Sequence, residues 1–272
     1  MGCIGVDLFL LVSGFGLYCS YSKNSNTLQF YKKRFIRTWL PFILTTAVVA
    51  IIYGKSLSGF LCESTTINYF IGKSFWLWYM PCIFVLYLMF PVFYHTIRRY
   101  GGYMLLLIYT ISFLLSFCFV YSELGDLRYQ YVNFTARIPI FCIGIYLAHL
   151  KESGKSILLP TNVIILSAVA LAICWFSFRN LNILVVYLSS LGVLSLVLVK
   201  IITNMLCISS KYMKWGVFGT MSLEVYLIHQ YPLEFLKQER LFYLIPIAMI
   251  LVFITAHYFS KLNQYLCKRL NN

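Results

Sequence analysis

Arg34 and Arg37 stand three residues apart beside Lys32 and Lys33, in the run Phe30-Tyr31-Lys32-Lys33-Arg34-Phe35-Ile36-Arg37. On an α-helix that spacing puts the two guanidinium groups on neighbouring faces of one turn. Arginine pairs with phosphate oxygens in a bidentate manner. The pair is therefore either a fork for a phosphate-bearing ligand or a cationic anchor at a membrane surface. Asp7 and Arg137 each fall inside an apolar run, where an ion requires a counter-charge, water or a route to the interface. A carboxylate snorkelling to the outer boundary is the alternative for Asp7. Further on, Ser222, Tyr226 and His229 are spaced i, i+4, i+7 and share a helical face. Glu224 lies in the same run, and two ionisable groups in one apolar helix point to a polar pathway. A lone histidine in a helix is otherwise a hydrogen-bonded packing residue.

These residues have to be positioned by elements that live in lipid. Of 272 residues, 61% are hydrophobic and only 11% charged, with a mean hydropathy of +0.80. A soluble domain carries about a quarter charged residues, so this chain could not cover a water-facing surface. Apolar runs of membrane-crossing length predict an all-α, polytopic helical bundle of nine spans, at 2–21, 38–54, 75–95, 102–121, 132–149, 157–178, 181–202, 216–236 and 241–260. The connections leave no room for a soluble domain, and the chain reads as one domain over residues 1–272. The longest connection, residues 55–74, reads as a loop with a re-entrant or interfacial turn, because Gly54, Ser56, Ser58 and Gly59 disfavour a helix. Within the first run, Gly5, Phe9, Ser13, Gly16 and Ser20 form a small-residue stripe at helical spacing, read as a surface for close helix packing.

The net charge of +14 does not indicate nucleic acid, because the basic residues fall in short groups between apolar runs rather than in one exposed patch. Eight of the nine cysteines lie within or at the end of apolar runs, and no C-x-x-C pair occurs. They read as packing residues, with Cys62 in a connection. No H-x-x-x-H or carboxylate cluster indicates a metal, and His95, His149 and His257 fall near membrane boundaries in no recognised pattern.

Basic residues set the orientation. Alternate connections place Lys23, Lys32, Lys33, Arg34, Arg37, Arg98, Arg99, Lys151, Lys155, Lys200, Lys211, Lys214, Lys261, Lys268 and Arg269 on one side. The other side receives Lys55, Lys73, Arg128, Arg137, Arg179, Lys237 and Arg240. The first set marks the cytoplasmic side, which gives a multi-pass protein of the cell membrane with its C-terminus in the cytoplasm. Nine spans then leave the N-terminus outside, without a basic flank ahead of the first helix to hold it there. A further helix upstream of Met1 is the expectation that resolves this, and an in-frame apolar segment in the preceding DNA is its test.

Several of these residues recur in one family pattern. Gly5-Val6-Asp7-Leu8-Phe9 running to Ser13-Gly14-Phe15, followed by Arg34-x-x-Arg37 and Pro41, resembles the second-helix and R-x-x-R region of the acyltransferase 3 family of integral membrane acyltransferases. Phe75-Trp76-Leu77-Trp78-Tyr79, with Tyr87 and Pro91, is similar to the family's aromatic element and downstream Y-x-x-x-P. Arg137, Phe141 and Gly144 resemble its R-x-x-x-F-x-x-G. The run from Gly219 through Ser222 and Tyr226 to His229 is similar to its closing G-x-x-S-x-x-x-Y-x-x-H. The resemblance spans almost the whole chain.

What the resemblance implies is an O-acyltransferase that binds no cofactor. Its donor is acetyl-CoA or another acyl-CoA in the cytoplasm, and its acceptor a hydroxyl of a cell-surface glycan or lipid-linked sugar. Arg34 and Arg37 would hold the donor. Asp7, Ser13, Trp78, Tyr79, Arg137, Glu224, Tyr226 and His229 are the candidates to line the site. The family's histidine regarded as catalytic lies on an earlier helix, upstream of where this chain begins, so no residue here is assigned that role. Two other readings stand beside this one: a family member that binds without catalysis, and a glycan or lipid transporter. Paired broken helices or inverted halves, which a transporter would show, are not evident.

Overall fold

A computed structural model describes residues 2–73, 77–125, 127–154 and 221–271. Among them every regular element is helical. In chain order these are α1 (Gly2–Tyr21), α2 (Thr27–Arg34), a π-helical turn (Phe35–Trp39), α3 (Leu40–Ile52), α4 (Leu57–Ser64), α5 (Ile67–Phe70), α6 (Tyr79–Tyr100), α7 (Gly102–Val120), α8 (Leu127–Thr135), α9 (Ile138–Glu152), α10 (Ser222–Gln238), a 3-10 turn (Phe242–Leu244) and α11 (Ile245–Asn271). Among the described residues five helical stretches, one of them turning between α8 and α9, are long and apolar enough to cross a membrane: Thr27–Ile52, Tyr79–Tyr100, Gly102–Val120, Leu127–Glu152 and Phe242–Leu270. With the apolar α1 they make the chain an all-α membrane bundle. The spans expected at 157–178 and 181–202, and the beginning of the one at 216–236, lie outside the described residues.

The chain divides into two compact units, Met1–Thr27 with Tyr69–Met205, and Leu28–Asn68 with Leu206–Asn272. In the first, α1 packs most extensively on α9. The two helices run parallel, since Asp7 lies beside Arg137 at one end and Tyr18 beside His149 at the other. α6 runs in the same direction, with Tyr79 near Phe9 and Tyr94 against Tyr18. This agrees with alternate spans pointing the same way.

Two glycines make the contact possible. A Cβ on Gly14 would come within 2.2 Å of the Phe141 carbonyl oxygen, and one on Gly144 within 2.1 Å of the Leu11 carbonyl oxygen. Hydrogen at those positions lets the backbones touch. The packing face of α1 is thus Asp7, Leu10, Leu11, Gly14, Leu17, Tyr18 and Tyr21, all buried. The small-residue stripe is not that face. Gly5 and Gly16 are exposed with nothing within 4 Å of an added Cβ, and Ser20 is exposed.

The other helices sort their faces as lipid requires. α7 turns Leu106, Leu107, Ile111 and Leu114 outward, while Ser112 and Ser116 are buried. Ser116 Oγ contacts Thr135 Oγ1 at 2.7 Å. In the second unit α11 presents Ile247, Ile250, Leu251 and Ile254 outward and buries Val252, Ala256, Ser260 and Asn263, one face at helical spacing.

Two local expectations are corrected. The cationic group does not precede the second span but lies on it, because helix continues unbroken from Thr27 to Ile52. The connection after it is also helical at Ser58 and Gly59. Ser56 caps α4 by accepting from the Gly59 N–H, a turn-forming serine acting as a helix start, and Lys55 pairs with Glu63.

Gly144→Ala is expected to lower the stability of the detergent-solubilised protein by about 1–3 kcal/mol, since a backbone must retreat. Gly16→Ala should change it by less than about 0.5 kcal/mol. Melting curves of the two variants side by side check both.

Candidate functional site

Helix breaks precede Arg137. Pro139 near the start of α9 cannot donate to the Thr135 carbonyl, and the Arg137 N–H turns back to Phe134 at 3.1 Å instead. The turn between α8 and α9 thereby carries the Arg137 side chain inward, where none of it is exposed. Its Nε sits 3.1 Å from Asp7 Oδ1, and Asp7 is equally buried. Asp7 therefore does not snorkel. Nη1 donates to the Asn133 backbone oxygen at 2.8 Å and to the Asn133 side-chain oxygen. The guanidinium lies over the Trp78 ring, 4.5 Å from its centre, a cation–π contact strengthened by desolvation. Trp78 is aimed there by a tight turn in which Leu77 adopts a φ of 51°, a left-handed conformation costly for leucine.

Around this core the polar groups are only partly satisfied. Tyr69 donates to the Gln130 backbone oxygen at 2.7 Å, and Cys82 lies 4.0 Å from the Tyr69 oxygen. Burial pushes the Tyr69 phenol above its ordinary value and keeps it a donor. Asp7 Oδ2, Arg137 Nη2 and Gln130 Oε1 are buried without a hydrogen-bond partner. Asn133 Nδ2 is buried without one as well, so the cluster holds two donors and two acceptors open to water or a polar ligand.

The structure thus brings Asp7, Trp78 and Arg137 together. Tyr79, next to Trp78, is buried with its ring near Phe9. Ser13 lies further along α1, its Oγ 2.9 Å from the Tyr87 hydroxyl. Phe75 and Trp76 of the aromatic element, and Gly219 and Thr220 of the closing one, lie outside the described residues. Asn133, Gln130 and Tyr69 were not expected. Their only signal is that polar side chains fall in or beside apolar runs.

In the second unit Arg34 is half-buried, with its guanidinium 5.9 Å from the Phe30 ring centre, and Arg37 is exposed. They do not share an α-helical turn, because Arg37 falls within the π-helical turn Phe35–Trp39. Wide turns of this kind recur at functional sites. Glu224, in the first turn of α10, is buried, and its Oε1 accepts from Asn263 Nδ2 at 3.0 Å. The same Asn263 nitrogen is 3.4 Å from the Arg37 carbonyl oxygen. Asn263, an amide in the last helix, is a further residue that sequence reading missed. His229 Nδ1 lies 2.8 Å from the Tyr226 carbonyl oxygen and 3.1 Å from that of Val225. Carbonyls only accept, so Nδ1 carries a proton and Nε2 is the basic nitrogen of the neutral ring. The Tyr226 and His229 rings are 5.7 Å apart.

Apolar helices enclosing a buried ion pair define a polytopic membrane protein. Residues 1–260 match the family model described as an acyltransferase domain. The chain belongs to the acyltransferase 3 family and is, in that general sense, a membrane acyltransferase. No curated protein and no solved structure matches it.

Asp7→Ala leaves the guanidinium buried without its counter-charge and is expected to cost about 3–5 kcal/mol. Adding Arg137→Met to that variant should recover part of the loss. Reversible unfolding in mixed micelles measures the pair's coupling, and additive losses would show that the two do not interact.

Proposed function

We propose that this protein transfers an acetyl group from cytoplasmic acetyl-CoA, or another acyl group from its CoA thioester, to a hydroxyl of a cell-surface glycan or lipid-linked sugar. It does so in the cell membrane, with its C-terminus in the cytoplasm. Family membership supports acyl transfer in general. The observation that carries the choice of acceptor is the trio of unpaired buried atoms, Asp7 Oδ2, Arg137 Nη2 and Gln130 Oε1, beside the face of Trp78. A sugar hydroxyl both donates and accepts, which answers a guanidinium N–H on one side and a carboxylate or amide oxygen on the other. An aromatic face covers the apolar side of a pyranose ring.

Arg34 and Arg37 are assigned to the donor, whose phosphates suit a guanidinium. The π-helical turn separates them from the regular ladder of the helix, and Asn263 steadies that turn at the Arg37 carbonyl. The transfer also needs donors to stabilise the tetrahedral oxyanion, and Arg137 Nη2 offers one.

Vesicles containing the protein are expected to move label from acetyl-CoA to surface glycan. Arg34→Ala with Arg37→Ala should raise the KM for acetyl-CoA at least about tenfold, the equivalent of losing one charge-assisted contact. Unchanged transfer in that double variant would remove the arginines from the donor site. Trp78→Ala should instead weaken acceptor use and leave the donor KM unaltered.

A further inference from the structure

The second unit holds a buried carboxylate that the donor reading above leaves unused. Glu224 is 3% exposed, and its Oε1 accepts from Asn263 Nδ2 at 3.0 Å. Its Oε2 is buried with no hydrogen-bond partner among the described residues. Asn263 has no further hydrogen to offer, because the same Nδ2 also faces the Arg37 carbonyl oxygen at 3.4 Å. Asn263 Oδ1 in turn accepts from Cys267 Sγ at 3.6 Å. A carboxylate oxygen is an acceptor. Oε2 therefore calls for a hydrogen-bond donor that these helices do not supply.

The place of Glu224 says what kind of donor fits. Asn263 ties the carboxylate to the backbone of the π-helical turn that carries Arg37. Arg34, Arg37, Glu224 and Asn263 all belong to the second unit. From water inward the side chains change sign: Lys32, Lys33 and Arg37 are exposed, Arg34 is half-buried and Glu224 is enclosed. Phosphate suits the outer cations and is repelled by a carboxylate. The group that reaches Glu224 is therefore neutral and bears a polar hydrogen. Acyl-CoA is built in that order, with phosphates at one end and a neutral arm of amide N–H groups leading from them to the thioester. An amide costs far less to bury than a phosphate, and its N–H makes a charge-assisted hydrogen bond to a carboxylate.

We propose that Glu224 is a donor-binding residue, its Oε2 accepting an amide N–H from the pantetheine arm of acyl-CoA while Arg34 and Arg37 hold the phosphates. This rests on acyl-CoA being the donor. One side chain, Asn263, sets both the carboxylate and the turn of Arg37, and so fixes the spacing between the arm and the phosphates. The two parts of a single ligand are then read by opposite charges. A nucleotide that shares the phosphates of CoA but lacks the arm gains nothing at Glu224, and one that pushes a phosphate toward it is rejected.

The test uses the full chain in vesicles and the displacement of labelled acetyl-CoA by either half of CoA, pantetheine or the nucleotide without its arm. Glu224→Gln keeps an oxygen for Asn263 but turns an NH2 group to where Oε2 stands. It is expected to weaken pantetheine about tenfold, the loss of one charge-assisted hydrogen bond, and to leave the nucleotide half as in the wild type. Arg34→Ala with Arg37→Ala should do the reverse. On the wild type, pantetheine with its amides replaced by esters should displace about tenfold less well, a comparison that needs no variant to fold. Unchanged pantetheine binding in Glu224→Gln, equal weakening of both halves, or equal displacement by the ester analogue overturns this role alone. So does a wild type that pantetheine cannot displace from. Failure of the wild type to bind acetyl-CoA overturns the donor reading and this role together.

Discussion

An arginine with no exposed surface, in a helix that crosses lipid, is the constraint from which much of the first unit follows. The guanidinium of Arg137 cannot shed its charge, and leaving it unpaired in a low-dielectric interior is costly. Asp7 must therefore come to it, which fixes α1 against α9. For a short side chain such as aspartate to reach Nε at 3.1 Å, the two backbones have to be close. Gly14 and Gly144 allow that approach, each occupying a place where a methyl group would strike the other helix's carbonyl. Ion pair and glycine contact depend on each other: without the glycines the ions part, and without the ions there is no reason for this register.

Register has consequences at a distance. Both helices advance about 1.5 Å per residue. Once Asp7 meets Arg137, Tyr18 necessarily meets His149 about 16–18 Å further along, where Glu152 is also within reach. A single parallel contact thus lays one polar cluster at the end poorer in basic residues and another at the end richer in them. The second unit solves its own burial problem differently. Glu224 is held by the neutral amide of Asn263, which also engages the backbone of the π-helical turn.

Hydropathy made the spans legible, because crossing lipid leaves few choices of composition. It also marked Asp7 and Arg137 as ions requiring company. It did not pair them, since the partner of a buried ion lies far along the chain and no local spacing names it. The small-residue stripe misled for a related reason. In lipid a helix needs no polarity on its outer face, so Gly5, Gly16 and Ser20 can stand there without cost, and size alone does not show which side packs. Gly14, on the face of Asp7, was the contact. The π-helical turn at Phe35–Trp39 has no sequence pattern to announce it. His149 read as a boundary residue, and nothing singled out Asn263, until other helices supplied their partners.

The pattern R-x-x-x-F-x-x-G can be read from these contacts. Its members are spaced four and seven residues apart, one helical face, and in this chain that face meets α1. Phe141 is fully buried, its carbonyl against Gly14 and its ring near Tyr87 and Phe90. Gly144 leaves room for the Leu11 carbonyl. Neither does chemistry; both set a distance. Only the arginine is ionic, and lysine would not replace it. A point charge could neutralise Asp7 but could not at once offer a second edge to Asn133 and a flat face to Trp78. The three contacts use Nε, Nη1 and the plane of the guanidinium, and leave Nη2 as the donor not committed to the fold. A residue held this firmly on three sides presents its fourth to a ligand at little further cost in entropy, which is what preorganised recognition requires.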